Sequence, residues 1–283
     1  MGQAEDREVG YRRSIGDYFR AVILIALFFI WMVPTAMMIG NSLSSDKSFA
    51  RVPPTILPAR FSLENYRDLL GLKLLPRWIA NTALIMVVHV SGVILINGAA
   101  AYVFAFSRAR WAKWLFWLFM TPIFVSQYVI LVPQFVIYGK LGMVGLPAVI
   151  LPVVWSTGIF LFRNYFKSIP MSLTESARID GAGEWAIFQK IVLPISKPLV
   201  GTAIILLSMG VIGSYVWPML NLRIPEQQTY LVGLMASAIN VYAIKNVGKD
   251  LAIGVLAMLP YLLIFSLSSR SFISGLVGGA VKG

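Results

Sequence analysis

The chain has 283 residues, of which 58% are hydrophobic and only 13% charged, with a formal net charge of +12. That balance excludes an ordinary water-soluble domain. The basic residues sit in short segments between apolar runs, which fits an anionic lipid surface rather than nucleic acid. There are no cysteines, so disulfides are excluded and nothing follows about redox compartment.

Residues 1–17 form a mixed-charge tail, and residues 18–283 read as one integral membrane domain without internal repeat or linker. The first apolar span, Tyr18 to Asn41, exceeds the roughly 7–15 apolar residues of a signal-peptide core. A proline-rich polar loop covers Ser42 to Arg77. The second span, Ile79 to Phe106, is longer than the roughly 20 residues a bilayer requires, so it is expected to tilt or project. After the basic turn of Arg108, Arg110 and Lys113 comes a third span, Trp114 to Tyr138, with kinks expected at Pro122 and Pro133. The fourth covers Leu146 to Phe166, the fifth Lys197 to Leu220 and the sixth Leu251 to Ser269. The expected fold class is therefore all-α, with six transmembrane helices and both termini on one side. A modest excess of Lys and Arg on that side, and more firmly the 108–113 turn and the 163–197 segment, assign it to the cytoplasm. The tail from Arg270 to Gly283 is expected not to hold a stable helix beyond Gly275, since each glycine costs about 1 kcal/mol relative to alanine.

Between the fourth and fifth spans lies the longest polar-containing helical pattern, Ser172 to Pro194. A short helix fits up to Asp180, with Ser172 as its N-cap and Glu175 at the capping-box position. Gly181 can stop it in the left-handed conformation. A second helix fits Glu184 to Leu193, with Trp185, Phe188 and Val192 on one stripe and Ile187 and Ile191 on another, closed by Pro194. This is a helix–turn–helix beside a membrane, offering a surface to something in solution.

The chemistry available to the chain alone is narrow. Its 12 acidic residues all lie outside the apolar spans. A proton- or sodium-coupled carrier keeps an ionisable group near the midplane, and only His89 is available. No P-loop pattern occurs, one histidine without cysteine excludes the common zinc sites, and an intramembrane enzyme would lack a base. Energy must come from a partner. An ATP-independent secondary carrier of a small polar solute is the alternative from another class, and a non-transporting scaffold or enzyme is a third.

The segment also carries a resemblance. Glu175-Ser176-Ala177, then Gly181, then Ile191, Leu193 and Pro194 resemble the EAA loop of the permease subunits of bacterial ABC importers. The family pattern is Glu-Ala-Ala, three residues, Gly, nine residues, Ile, any residue and Leu-Pro; here Ser176 replaces one alanine. The run Tyr102 to Arg110, the Leu141-Gly142 turn and Phe166 to Pro170 narrow it to the carbohydrate-type permeases. The closing Gly-Gly-Ala-Val-Lys-Gly is similar to the C-terminus of the maltose-importer permease. One departure is clear: many relatives place a Trp-Asn-Asp/Glu-aromatic run before Trp217-Pro218, whereas this chain has Ile212-Gly213-Ser214-Tyr215.

The resemblance implies a type I ABC importer permease fold in the bacterial inner membrane. The partners it implies are a second homologous permease, two cytoplasmic ATPase subunits, an external solute-binding protein, a carbohydrate substrate and membrane lipid. No cofactor is expected on this chain, with ATP and magnesium on the ATPases, and no nucleic acid. Glu175, Ser176, Ala177, Asp180, Gly181, Ala182, Ile191, Leu193 and Pro194 are the implied ATPase-coupling residues, with an arginine of the ATPase expected opposite Glu175. Gly278, Gly279 and Lys282 are expected at the ATPase interface, and Asn221–Asp250 against the binding protein. Asn97, Gln127, Gln134, Ser214 and Tyr215 are candidates for the translocation path, joined by Ser126. For these amides interhelical hydrogen bonding is the competing reading, as neutral packing is for His89. Gly92, Gly98, Gly201, Gly210 and Gly213 are expected to permit close helix approach, and Trp111, Trp114 and Trp117 to form an interfacial belt.

Overall fold

An apolar chain in lipid must satisfy its own backbone N–H and C=O groups, and helices do this within one segment. The computed structural model describes residues 15–44, 60–238 and 247–280, and these are helical nearly throughout, with no strand among them. Three helices are long and apolar enough to cross a bilayer alone, Gly16–Ser42, Leu75–Phe106 and Val247–Leu267. Two bent pairs reach that standard together, Arg110–Phe124 with Gln127–Lys140 (109°) and Glu184–Ile195 with Lys197–Gly213 (81°). The protein is an all-α, multi-pass membrane protein.

Two compact units are distinguished. The first holds the chain up to Asp68 together with Tyr242–Val255. Its frame is α1 (Ile15–Ser42), whose end is closed by the following segment. Asn65 donates from Nδ2 to the Ser42 and Ser44 carbonyls at 3.0 Å each, and the Ser42 and Tyr66 hydroxyls meet at 2.6 Å. Here the expected proline-rich loop contains a short helix, α2 (Glu64–Leu70).

The second unit, Leu69–Val241 with Leu256–Gly283, is built on α3 (Leu75–Phe106). The third expected span divides into α4 (Arg110–Met120) and α5 (Gln127–Lys140), separated by a 3₁₀ turn, Thr121–Phe124, that Pro122 opens. Pro133 is accommodated inside α5, so only one of the two expected kinks forms as a break. The fourth expected span is not one helix. α6 (Leu146–Ile150) and α7 (Ser156–Lys167) flank a non-helical stretch at 151–155. Buried Asn97 of α3 holds that stretch: its Nδ2 donates to Val153 O at 2.6 Å, and its Oδ1 accepts from Trp155 N–H at 2.9 Å. A polar side chain thus supplies the bonds that an unbroken helix would have made.

α8 (Met171–Ile179) and α9 (Glu184–Ile187) lead through a π turn, Phe188–Val192, and α10 (Leu193–Ile195) into α11 (Lys197–Gly213). The fifth span ends earlier than expected, with Ser214 and Tyr215 outside helix and α12 (Val216–Asn221) beyond them. The outer loop contains an apolar helix that its neighbours in sequence do not announce, α13 (Tyr230–Ala238). It packs on α3 so closely that a Cβ added to Gly233 would lie 2.1 Å from Trp78. The last helix, α14 (Val247–Ala280), keeps a helical backbone through Gly278 and Gly279, against the expectation for the tail. Extending a helix that is already nucleated costs far less than starting one, so a glycine penalty of about 1 kcal/mol each is tolerated. Lys282 lies outside the described residues.

Candidate functional site

Most of the expected coupling segment stands as a rigid corner on the end of α3. α8 begins at Met171 after Pro170, one residue earlier than expected, and carries no side-chain cap. Ser172 therefore falls inside the first turn, and Glu175 is freed from a capping box to meet Arg108 at 3.2 Å. The C-terminus follows the expectation for Gly181, at φ +82°. Ala182 N–H donates to Ala177 O at 2.9 Å and Gly181 N–H to Arg178 O at 3.1 Å, the paired bonds of a glycine-stopped helix end. Ser176 and Asp180 lie on the exposed side of this turn. Ala177 and Ala182 pack inward against the core of Phe162, Phe166, Phe188 and Val192.

Beyond the glycine, the second helix departs from a simple α pattern. Leu193 N–H reaches Phe188 O, five residues back, and Pro194 has no N–H to offer the Lys190 carbonyl. Pro194 thus sits inside α10 rather than closing the segment, and the turn at Ser196 bends the chain instead. Ile187, Phe188 and Val192 are fully buried, with Ile191 and Leu193 packed against them. Trp185, expected on the same stripe, remains more than half exposed.

Two charged residues either side of Gly181 lock the corner. Arg178 Nε donates to Glu184 Oε1 at 2.6 Å and its Nη2 to Oε2 at 3.1 Å. The Tyr102 hydroxyl of α3 donates to the same carboxylate. The Arg178 hydrogen bonds hold the Glu184 carboxyl below the usual carboxylate range, with Tyr102 acting in the same direction, and the guanidinium is raised in return. Tyr102 stacks with Phe188, centroids 5.7 Å apart, so the turn and α3 share one packed block. The outward face combines polar residues such as Ser176 and Asp180 with exposed apolar ones: Ile179 is 86% exposed at the tip, and Leu173 and Trp185 are exposed as well. A cavity of about 770 Å³ opens beside it, lined by Arg108, Glu175, Arg178, Glu184 and Trp185 among others. The sequence alone did not signal the Arg178–Glu184–Tyr102 triad, because its third member is 82 residues away.

The translocation-path candidates are only partly brought together. Gln127, Gln134 and Ser214 line a second cavity of about 390 Å³ among α3, α5, α11 and α12, where His89 joins them. Asn97 is fully buried and spent on Val93, Val153 and Trp155, so it is a structural amide and not a lining residue. Tyr215 and Ser126 are not among the residues that line this cavity. His89 Nδ1 lies 3.0 Å from Ile150 O, which places it in a satisfied hydrogen bond. Trp155, Trp217 and Thr229 also line the cavity and carried no sequence signal.

Among the glycines, Gly98 meets the expectation of close approach, since an added Cβ would lie 3.3 Å from Phe188; Gly201 and Gly210 do not, having nothing within 4 Å. Trp111, Trp114 and Trp117 are all exposed along α4, as an interfacial belt requires.

The chain resembles several characterised permeases over nearly its whole length. It is 28% identical to the sn-glycerol-3-phosphate transport system permease protein of Brucella suis, covering 94% of this chain and 98% of the relative. It is 30% identical to the galactooligosaccharides transport system permease protein of Bacillus subtilis (96% and 98% covered). It is also 30% identical to the arabinooligosaccharides permease protein of the same organism (96% of each). In fold it matches a chain of a bacterial ABC transporter involved in import of the acidic polysaccharide alginate, with a TM-score of 0.75 at 22% identity, covering 92% of this chain and 99% of that one. Residues 92–276, from mid-α3 through the 172–194 corner into α14, match the model of the binding-protein-dependent transport system inner membrane component, and the chain belongs to that family.

Proposed function

We propose that the chain is a permease subunit of an ABC importer that carries a sugar or oligosaccharide across the bacterial inner membrane, with both termini in the cytoplasm. Its partners are a second permease, two ATPase subunits that bind ATP and magnesium and perform all the hydrolysis, and an external solute-binding protein. Two oligosaccharide permeases among its relatives support the substrate class. The exposed segment Arg223–Glu226 is the part of the outer loop best placed to meet the binding protein, because Tyr230, Val232, Gly233 and Leu234 of α13 are buried.

One observation carries this reading: the 172–194 segment is a rigid corner with Ile179 exposed at its tip, locked to α3 by Tyr102, Arg178 and Glu184. A partner seated on Ile179 pushes a block that cannot flex, and its displacement passes to α3 and α11 as a rigid-body motion. Glu175 is free to change partners, since its pair with Arg108 is solvent-exposed and such pairs contribute only about 0–1 kcal/mol.

The test is Gly181→Val. An added Cβ meets nothing within 4 Å, so the substitution acts through the backbone alone, where φ +82° is strained for a β-branched residue. The variant is expected to insert and pair with its partner permease but to lose ATP-dependent uptake in reconstituted vesicles and to retain less ATPase on purification. Undiminished uptake by correctly assembled complexes would sink the lever.

A further inference from the structure

The 390 Å³ cavity has a composition that the proposed function does not itself require. Among the described residues that line it there is no Asp, Glu, Lys or Arg. Its volume lies within the range of about 300–1,000 Å³ typical of small-molecule sites, and its walls are mostly apolar with a few polar groups. Those groups come from four different places. Gln127 and Gln134 stand two turns apart on one face of α5, Ser214 follows α11, His89 lies mid-way along α3, and Thr229 precedes α13.

Thr229 is the telling residue. It is 3% exposed, and its hydroxyl has no hydrogen-bond partner among the described residues. Leaving a buried hydroxyl unpaired costs about 1–3 kcal/mol, and an isosteric valine would avoid that cost. His89 is similarly prepared. A carbonyl can only accept, so the Ile150 bond places the proton on Nδ1, and in the neutral ring Nε2 is left as an acceptor. The indole of Trp217 is fixed by its own bond to Ala148 O at 2.9 Å and by Tyr138 set edge-on at 5.6 Å, so the cavity keeps a rigid aromatic wall.

We infer that this cavity is a transit site for an uncharged polyhydroxylated solute, with Thr229 and the His89 imidazole as specificity-determining residues for its hydroxyls. The inference rests on the importer reading above and narrows it. A hydroxyl exchanges water for Thr229, His89 or the Gln127 and Gln134 amides at little net cost. A phosphate or carboxylate would shed its hydration and find no counter-charge among the described lining residues. The site thus favours neutral oligosaccharides over anions such as glycerol 3-phosphate, although permeases similar to this chain are named for both kinds.

The complete importer, with its second permease, ATPases and binding protein, is reconstituted in vesicles and offered radiolabelled galactotriose, arabinotriose and sn-glycerol 3-phosphate. At least one trisaccharide is expected to accumulate and glycerol 3-phosphate is not. Thr229→Val is expected to melt no lower than the parent, yet to lower trisaccharide uptake about five- to tenfold, as does His89→Leu. Thr229→Ser, which keeps the hydroxyl, restores uptake. Uptake unchanged in both variants, equal loss in Thr229→Ser, or accumulation of glycerol 3-phosphate alone would overturn the transit site while leaving the importer standing. Parent vesicles that accumulate none of the probes, and whose ATPase ignores the binding protein, would overturn the importer reading itself.

Discussion

The Glu184 carboxylate shows how one side chain ties the segment together. It takes two bonds from Arg178, across a glycine turn, and one from Tyr102 of α3. Its folded-state acidity is set below the ordinary carboxylate value, chiefly by Arg178. A group depressed in this way contributes stability that is present at neutral pH and is lost as pH falls through the folded-state value. Arg178→Met should therefore lower the melting temperature of the purified complex at pH 7, and the difference from the parent should shrink toward zero on acidification below the carboxylate range. Because both partners are partly exposed, at 33% and 59%, the effect at neutral pH is about 1 kcal/mol or less. A difference that persists unchanged into acid would assign Arg178 a packing role instead. At this scale the sequence was legible where backbone geometry demanded one residue, as at Gly181. It was silent where the partners come from distant turns, as with Tyr102, or where the signal is an absence, as with the Thr229 hydroxyl, which has no partner among the described residues.

Helices were legible in proportion to their apolar length. α1, α3 and α14 overlap the expected first, second and sixth spans because runs of this length leave no other backbone solution in lipid. The breaks were legible only in part: Pro122 announced the one between α4 and α5, but not its angle. Hydropathy does not show that Asn97 will take over the backbone bonds of residues 151–155, or that Ser126 will adopt an extended conformation and turn the chain by 109°. α13 was hidden for the opposite reason: its nine residues are too few to read as a span, and its burial depends on the distant Trp78. Packing between elements ties the corner to α3. At Gly98 the ring of Phe188 leaves an added Cβ only 3.3 Å, and that ring is itself wedged between Tyr102 and Trp185, at 5.7 and 5.4 Å. Gly98→Leu should thus overpack the joint, costing about 1–3 kcal/mol, and should loosen the corner from α3. Thermal unfolding of the variant complex, together with protease sensitivity near Gly181, measures both effects. Unchanged values in both would mean that Phe188 moves freely and that the joint is softer than its burial suggests.

For the whole molecule, membrane and partners divide the exposed apolar surface. α1 buries none of its most apolar window, and α5 turns Tyr128, Val129 and Val132 outward at 69%, 69% and 66% exposure. Lipid is one available cover for such faces, and the second permease proposed above is another. α14 raises a different question, because it has 34 residues. At 1.5 Å per residue that is about 51 Å of helix, against a hydrocarbon core of about 30 Å, so some 20 Å of it must tilt or project. Arg270 is the first charged residue after Asp250 and closes the uninterrupted uncharged run, which makes the stretch from Arg270 to Ala280 the projecting end. If both termini are cytoplasmic, that end points toward the ATPases, and its glycines let another surface approach the helix closely. A frayed, expendable end is the plain alternative. Removing residues 276–283 distinguishes them. Insertion and pairing with the second permease should survive, because the span itself is intact. Stimulation of ATP hydrolysis by the loaded binding protein should fall several-fold if the rod reaches between the ATPases. Equal stimulation in full-length and truncated complexes would show that the projection touches nothing, and that the corner at Gly181 alone transmits the stroke.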